Sequence, residues 1–218
     1  MQLLAATRNK HKLAELRAIL GAPWEILGLE TAPGMPEVVE DEPTFVGNAI
    51  KKAVRTASFV QGRILTMADD SGLEVLALDL APGVLSARYA GEPSNDQRNN
   101  EKLLRAMAGV GDAQRVARFS CVIAIASGSF ALADAARKAD VAFTLRDPFI
   151  VAVCSGVCAG RIVREPRGTN GFGYDPLFVP ESYDQTYAEL PDTEKNKISH
   201  RARALENVKA LLAALKDG

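Results

Sequence analysis

Histidine, cysteine and tryptophan are scarce in this chain of 218 residues, with two, three and one of each. Cys121, Cys154 and Cys158 have no histidine near them, and the Cys154/Cys158 pair sits in an apolar run without a second ligand pair, so a zinc site is not expected. Buried free thiols in a reducing compartment are the expectation. Neither sign of charge is in excess: 26 Lys and Arg against 27 Asp and Glu leave a net charge of −1. General electrostatic capture of nucleic acid or of an anionic membrane is thereby argued against, and any basic patch must be local. No run approaches the roughly 18 apolar residues of a membrane helix. Residues 1–10 show no basic leader followed by a long apolar core, so a cytoplasmic location is expected. Repeats, low-complexity tracts and long linkers are missing too. What remains is 47% hydrophobic and 24% charged, a globular composition long enough for one large domain or two lobes.

Apolar spacing gives the elements. Residues 3–6 read as a strand, followed by a polar turn and a helix carrying Leu13, Leu16 and Leu20, with Gly21 at its end. Residues 26–29 read as a second strand, and the Pro-, Gly- and acid-rich residues 30–43 as a surface loop. A second helix follows Thr44, with Phe45, Ala49 and Ala53 on one face. Residues 64–68 form a buried strand, 95–107 a charged helix, 115–126 and 149–157 long strands, and 177–179 a short one. An amphipathic helix over 199–215 has Leu205, Val208, Leu212 and Leu215 on one face. Strands and helices alternate early and strand follows strand later, which predicts a mixed α/β sheet.

Five polar stretches stand out. Residues 168–176, Gly-Thr-Asn-Gly-Phe-Gly-Tyr-Asp-Pro, place three glycines around one aromatic ring. Such a loop can hold Phe172 out as a stacking face, or it is a tight loop with a core phenylalanine. Its order, G-x-x-G-x-G, is not the dinucleotide fingerprint, and Tyr174-Asp175-Pro176 does not read as a helix start. Thr7-x-Asn9-x-x-Lys12 follows a strand and opens a helix, where amide groups and the dipole suit a phosphate and Lys10 and Lys12 add charge. A capped surface helix fits as well, and the glycines of a Walker loop are missing. Glu37, Glu40, Asp41 and Glu42 precede Asp69 and Asp70, which end an apolar strand. Carboxylates so placed suit a divalent cation or a solvated Asp-Asp-Ser-Gly turn. If the strand continues, Asp69 and Asp70 point to opposite faces. Asn48 and Lys52 lie one helical turn apart. Finally, Lys195-Asn196-Lys197-Ile198-Ser199-His200-Arg201 puts cations at the mouth of the last helix, with Ser199 as N-cap. There they oppose the dipole, which hints at an acceptor-bearing ligand.

In this order the five stretches closely resemble the inosine triphosphate pyrophosphatase family, hydrolases that remove aberrant purine nucleoside triphosphates. The resemblance runs from Leu3 to about Leu212. It rests on Thr7-Arg8-Asn9-Lys10-His11-Lys12, residues 40–52, Ala68-Asp69-Asp70-Ser71-Gly72-Leu73, Gly171-Phe172-Gly173-Tyr174-Asp175-Pro176 and Ile198-Ser199-His200-Arg201, and residues 82–89 also look like the family. It implies an elongated mixed α/β sheet flanked by helices, with two lobes, a central cleft and a homodimer. The implied reaction releases pyrophosphate from the triphosphate with Mg²⁺. Thr7, Arg8, Asn9, Lys10, His11, Lys12 and Lys52 would then hold the triphosphate. Glu40, Asp69 and Asp70 would serve the metal, with Asp70 as proton acceptor and Ser71 touching substrate. Phe172, Gly173, Tyr174 and Asp175 would cradle base and sugar, while Lys195, His200 and Arg201 meet the base edge.

Residues 127–148 depart from the family, being longer than the short hairpin expected there. The chemistry is consistent with the residues: Lys and Mg²⁺ neutralise phosphate, and no Ser-His-Asp set is needed. Hypoxanthine and xanthine carry an oxygen at C6 where adenine carries an amino donor, so a donor-rich site selects the former. Guanine keeps that oxygen, so its rejection must act at the 2-amino group.

Overall fold

The structure, a computed structural model, describes residues 1–216. Strand β1 (Gln2–Ala5) leads into helix α1 (Lys10–Leu20). Asn9 stays extended and its side chain accepts from the amides of His11 and Lys12, which starts the helix. Gly21, at φ +58°, ends it by bonding Arg17 O. Strand β2 (Glu25–Leu27) is shorter than its apolar run, because a 3₁₀ turn takes over at Leu29–Thr31. Thr44 caps helix α2 (Phe45–Phe59), accepting from Gly47 N. Ala49, Ala53 and Ala57 recur every four residues and are fully buried.

Strand β3 (Leu65–Val75) runs straight through Asp69-Asp70-Ser71-Gly72, so the solvated-turn alternative fails. The strand tolerates these polar groups because each carboxylate has a lysine partner. Helix α3 (Asp96–Ala106) is capped by Asn95. Strand β4 (Val116–Ser127) matches its expected segment to within one residue, whereas β6 (Phe149–Ile162) outruns the apolar segment that announced it. Between them lie α4 (Ala131–Lys138) and β5 (Ala142–Arg146), which pairs antiparallel with β6 from Ala142↔Val153 to Arg146↔Phe149. The lengthened hairpin is therefore a helix and an edge strand. Leu132, Ala133, Ala135 and Ala136 give α4 its buried face. Strand β7 (Phe178–Pro180) pairs with β6. The basic run belongs to two helices, α5 (Asp192–Ile198) and α6 (His200–Lys216), joined at an extended Ser199. Lys195 thus sits on α5 and not at the mouth of the last helix.

The sheet has seven strands in the order β2-β1-β3-β4-β6-β5, with β7 on β6. The β1 pairings with β2 and β3 are parallel, and the β6 pairings with β5 and β7 antiparallel, so the sheet is mixed as predicted. Contacts divide the chain into two compact units. One comprises Met1–Asp70, Cys121–Gly156 and the stretch from Ala202; the other comprises Ser71–Ser120 and Val157–Arg201. The core of the first unit gathers Leu3, Leu16, Ile123, Ile150, Leu205 and Leu212. In the second, Leu73, Leu103, Phe119, Phe178 and Tyr187 pack together, with Phe119 edge-on to Phe178 at 4.8 Å and 71°. Each such side chain contributes about 1.5–3 kcal/mol by leaving water. All three cysteines are buried, and none forms a disulfide among the described residues.

Candidate active site

The acidic group of the first unit is built on regular elements. Because side chains alternate along β3, Asp69 and Asp70 project to opposite faces. Asp69 pairs through Oδ1 with Lys12 of α1 and accepts from the Cys121 thiol at Oδ2, 3.0 Å away. Asp70 meets Lys52 of α2 at 3.4 Å, and the same ammonium donates to Glu40 at 2.7 Å and to the Asp69 carbonyl at 2.7 Å. Asn48, one turn earlier on α2, accepts from Glu42 N at 3.0 Å, and Lys51 pairs with Asp41. The loop is thereby fastened to α2 at three successive residues, Glu40, Asp41 and Glu42.

Charge and burial set the protonation states. Burial pulls the Lys52 ammonium down, but the carboxylates of Asp70 and Glu40 more than reverse this and hold it above its ordinary value. Burial pushes Asp70 up, against Lys52 and Lys12, and Glu40 and Asp69 reinforce the rise. Asp70 Oδ2 is buried without a hydrogen-bond partner. An acceptor oxygen left that way is costly unless a cation or donor arrives with a ligand.

The Thr7–Lys12 turn is largely self-satisfied. Thr7 Oγ1 accepts from Asn9 N, and Asn9 takes the His11 and Lys12 amides. Those backbone donors, which the sequence reading offered to a phosphate, are occupied, so cationic character here belongs to side chains. Arg8 donates to Met35 O at 2.6 Å, and Lys10 and His11 are exposed. Thr7, Arg8, Asn9 and Lys10 line a cavity of about 390 Å³ together with Glu30 and Met35.

The group in the second unit is built on backbone. Gly168, Gly171 and Gly173 all take positive φ, at +81°, +73° and +62°. At Gly171 a Cβ would lie 2.0 Å from Asp175 Oδ2, so only glycine fits. Asp175 accepts from Phe172 N at 2.8 Å and from Lys195 Nζ at 2.6 Å, with both side chains buried. Asp175 opens a 3₁₀ turn, Asp175–Leu177, where no helical turn was expected. Phe172 is half-buried, and Lys195 Nζ lies 4.9 Å from its ring centroid. Tyr174 belongs to the core: it is 3% exposed and its hydroxyl donates to Ser86 O. Arg201, 1% exposed, donates to Ser71 Oγ at 3.0 Å, and His200 stacks on Phe119 at 4.7 Å and 11°. The basic helix mouth is therefore buried structure and not a solvated end.

Some participants were not singled out from sequence: Cys121 at Asp69, and Asp96 and Asn100 at Gly173. No signal in composition or spacing marks them, since each acts through a contact distant in the chain.

The acidic group suits a divalent ion that arrives with its substrate. Among the described residues no three acidic, histidine or cysteine groups form a complete cage. Mg²⁺ does not need one, because it takes one or two carboxylates and completes its shell with phosphate and water. Glu40 and Asp70, both turned to Lys52, supply that number, whereas both oxygens of Asp69 are committed to Lys12 and Cys121.

The profile of the Ham1 family matches residues 3–211. This chain belongs to the Ham1 family. The Ham1 protein of Coxiella burnetii superimposes with a TM-score of 0.80, at 38% identity over 98% of each chain. That of Staphylococcus aureus gives 0.78, at 34% identity and the same coverage. By sequence, the dITP/XTP pyrophosphatase of Desulforamulus reducens is 45% identical over 216 residues, 99% of this chain and 97% of its own length. The dITP/XTP pyrophosphatase of Shouchella clausii is 45% identical over 208 residues, 95% and 94% of the two chains. Ham1 membership bears out the resemblance read from the five ordered motifs and the α/β architecture that it implied.

Proposed function

We propose that this member of the Ham1 family hydrolyses non-standard purine nucleoside triphosphates (dITP, ITP and XTP) to the monophosphate and pyrophosphate with Mg²⁺, clearing them from the nucleotide pool. One observation carries the reading: a buried carboxylate, Asp70, with one oxygen unpartnered and the other beside a lysine that also holds Glu40. Relatives of nearly equal length named for dITP and XTP hydrolysis support the substrate class.

Hydrolysis of a phosphoanhydride needs charge neutralisation, an oriented water and a proton acceptor. Lys52, held cationic by its acidic neighbours, and Lys12 neutralise the phosphates. Asp70, made more basic than an ordinary carboxylate by burial, takes the proton of the attacking water. Glu40 and Asp70 would hold the metal, which when bound polarises the phosphoryl oxygens and acidifies water. Phe172 offers a ring face to the base, and Asp175 holds Lys195 and the Phe172 amide in register. The donor character of Lys195, His200 and Arg201 favours a C6 oxygen over the C6 amino group of adenine. A homodimer in the cytoplasm belongs to the same proposal by family resemblance, and the balanced net charge supports a free nucleotide over nucleic acid as ligand. In the described residues no helix is long and apolar enough to cross a membrane.

The test is pyrophosphate release from dITP, ITP, XTP, GTP and ATP, with Mg²⁺ and with chelator. Metal-dependent release from the first three and little from the last two is expected. Orthophosphate as the product, or equal turnover of ATP, would overturn the proposal.

A further inference from the structure

Within the second unit, α3 holds the glycine loop by its backbone. Asp96 Oδ2 accepts from Gly173 N at 2.7 Å, and Asn100 Nδ2 donates to Gly173 O at 2.9 Å. The two residues are four apart on α3, so they share a face and project side by side. Together they satisfy the single donor and the nearest acceptor of one residue, and that residue stands directly after Phe172. The orientation of the Asn100 amide is fixed by this contact, since the reverse would set two oxygens against each other.

We propose that Asp96 and Asn100 are positioning residues that set how Phe172 is presented, and through it the choice of purine base. Gly171 and Gly173 both take positive φ, and a glycine-rich segment loses the most conformational entropy on ordering. Something must hold it. Before the ring, the amides of Thr169 and Asn170 bond Ala188 O, and Phe172 N itself bonds Asp175. After the ring, the α3 pair takes both polar groups of Gly173. Phe172 is thus pinned on each side while the residue stays partly exposed. A loop free to drift would still stack on a purine, but it would register the base edge poorly. Discrimination then suffers more than affinity. Asp96 is exposed in the first turn of α3, a place where a carboxylate already suits the dipole, so the fold does not depend on its bond to the loop.

The inference rests on the proposed purine triphosphate reading, and two readouts separate them. The first is hydrogen–deuterium exchange over residues 168–175 in the protein without nucleotide, which needs no activity. Asp96→Ala and Asn100→Ala should each speed exchange there by about five- to tenfold, the cost of one lost hydrogen bond. Asp96→Asn, which keeps an acceptor oxygen, should restore protection, and Asn100→Asp should be worse than Asn100→Ala because its carboxylate faces a carbonyl. The second is steady-state kinetics on dITP and dATP. Asp96→Ala should narrow the dITP/dATP ratio of kcat/KM about tenfold, with a smaller rise in KM for dITP and little change in kcat, while Asp96→Asn recovers both. Exchange equal to wild type in the Asp96→Ala/Asn100→Ala double variant would overturn the proposal. So would faster exchange with an unchanged base ratio, because the pair would then be merely structural. If wild-type protein releases no pyrophosphate, the functional reading fails, and so does the base-choice half of this proposal; the exchange data still decide whether α3 holds the loop.

Discussion

The acidic group of the first unit and the glycine-loop group of the second solve opposite problems. Lys12, Lys52, Asp69 and Asp70 project from helices and a sheet strand, so their positions are fixed by elements whose cores are fully buried. Their chemistry is charge on charge, with side chains partnering side chains. In the second unit Phe172 and Gly173 belong to a loop that runs into the 3₁₀ turn opened by Asp175, and the bonds that fix it run mainly to backbone: Asp175 to Phe172 N, Asp96 to Gly173 N, Asn100 to Gly173 O. Transition-state electrostatics needs rigid charges, whereas fitting one purine among several needs a shaped surface. Under the proposed function, turnover falls to the first group and base choice to the second.

The largest break in that division should come from Asp70. Asp70→Asn is expected to fold and to lose about 10³-fold in kcat, the scale of a missing general base in an otherwise intact site. It also tests the electrostatics. Burial raises the pKa of Asp70 above its ordinary 3.8, so the folded state favours the protonated acid. The ionised form costs nothing below that ordinary value and more as pH rises through the raised one. Asp70→Asn should therefore melt above wild type at neutral pH, and the gap should close near pH 3; a gap that widens on acidification would contradict the assigned shift. Gly171→Ala comes next. A Cβ there meets Asp175 at φ +73°, so the loop must shift, costing about 1–3 kcal/mol in thermal unfolding and raising KM far more than it lowers kcat. The smallest effect belongs to Tyr174→Phe, which removes the hydroxyl bond to Ser86 O and should cost about 1 kcal/mol with kcat/KM nearly unchanged. A large kinetic loss there would mean that Tyr174 touches substrate.

The first group was largely legible in the sequence and the second only in outline. Strand-then-helix spacing placed Thr7–Lys12, and four-residue spacing put Asn48 and Lys52 on one helical face. An apolar run ending in two aspartates marked Asp69 and Asp70, although whether the strand continued had to be seen. Tertiary pairing decided it, since Lys12 and Lys52 make a polar stretch tolerable inside a strand. Glycine spacing announced a loop at 168–173, but not that Tyr174 would turn inward or that Lys195 would be buried on a helix of its own. Those outcomes depend on the bonds of Tyr174 to Ser86 and of Lys195 to Asp175, contacts between residues far apart in the chain. The α4 helix escaped because its alanine-rich segment carries few large apolar residues to show a period, and it earns its burial only against the first unit's core.

The division of labour is tested most directly by measuring kcat and KM for dITP in Asp70→Asn and Phe172→Ala side by side with wild type. The account predicts opposite signatures. Asp70→Asn should lose kcat and keep KM within a few-fold, while Phe172→Ala should keep kcat and raise KM by about 10- to 100-fold, the worth of one base–aromatic stack. If both variants lose kcat alone, or both raise KM alone, the two groups do one job between them and the account is wrong.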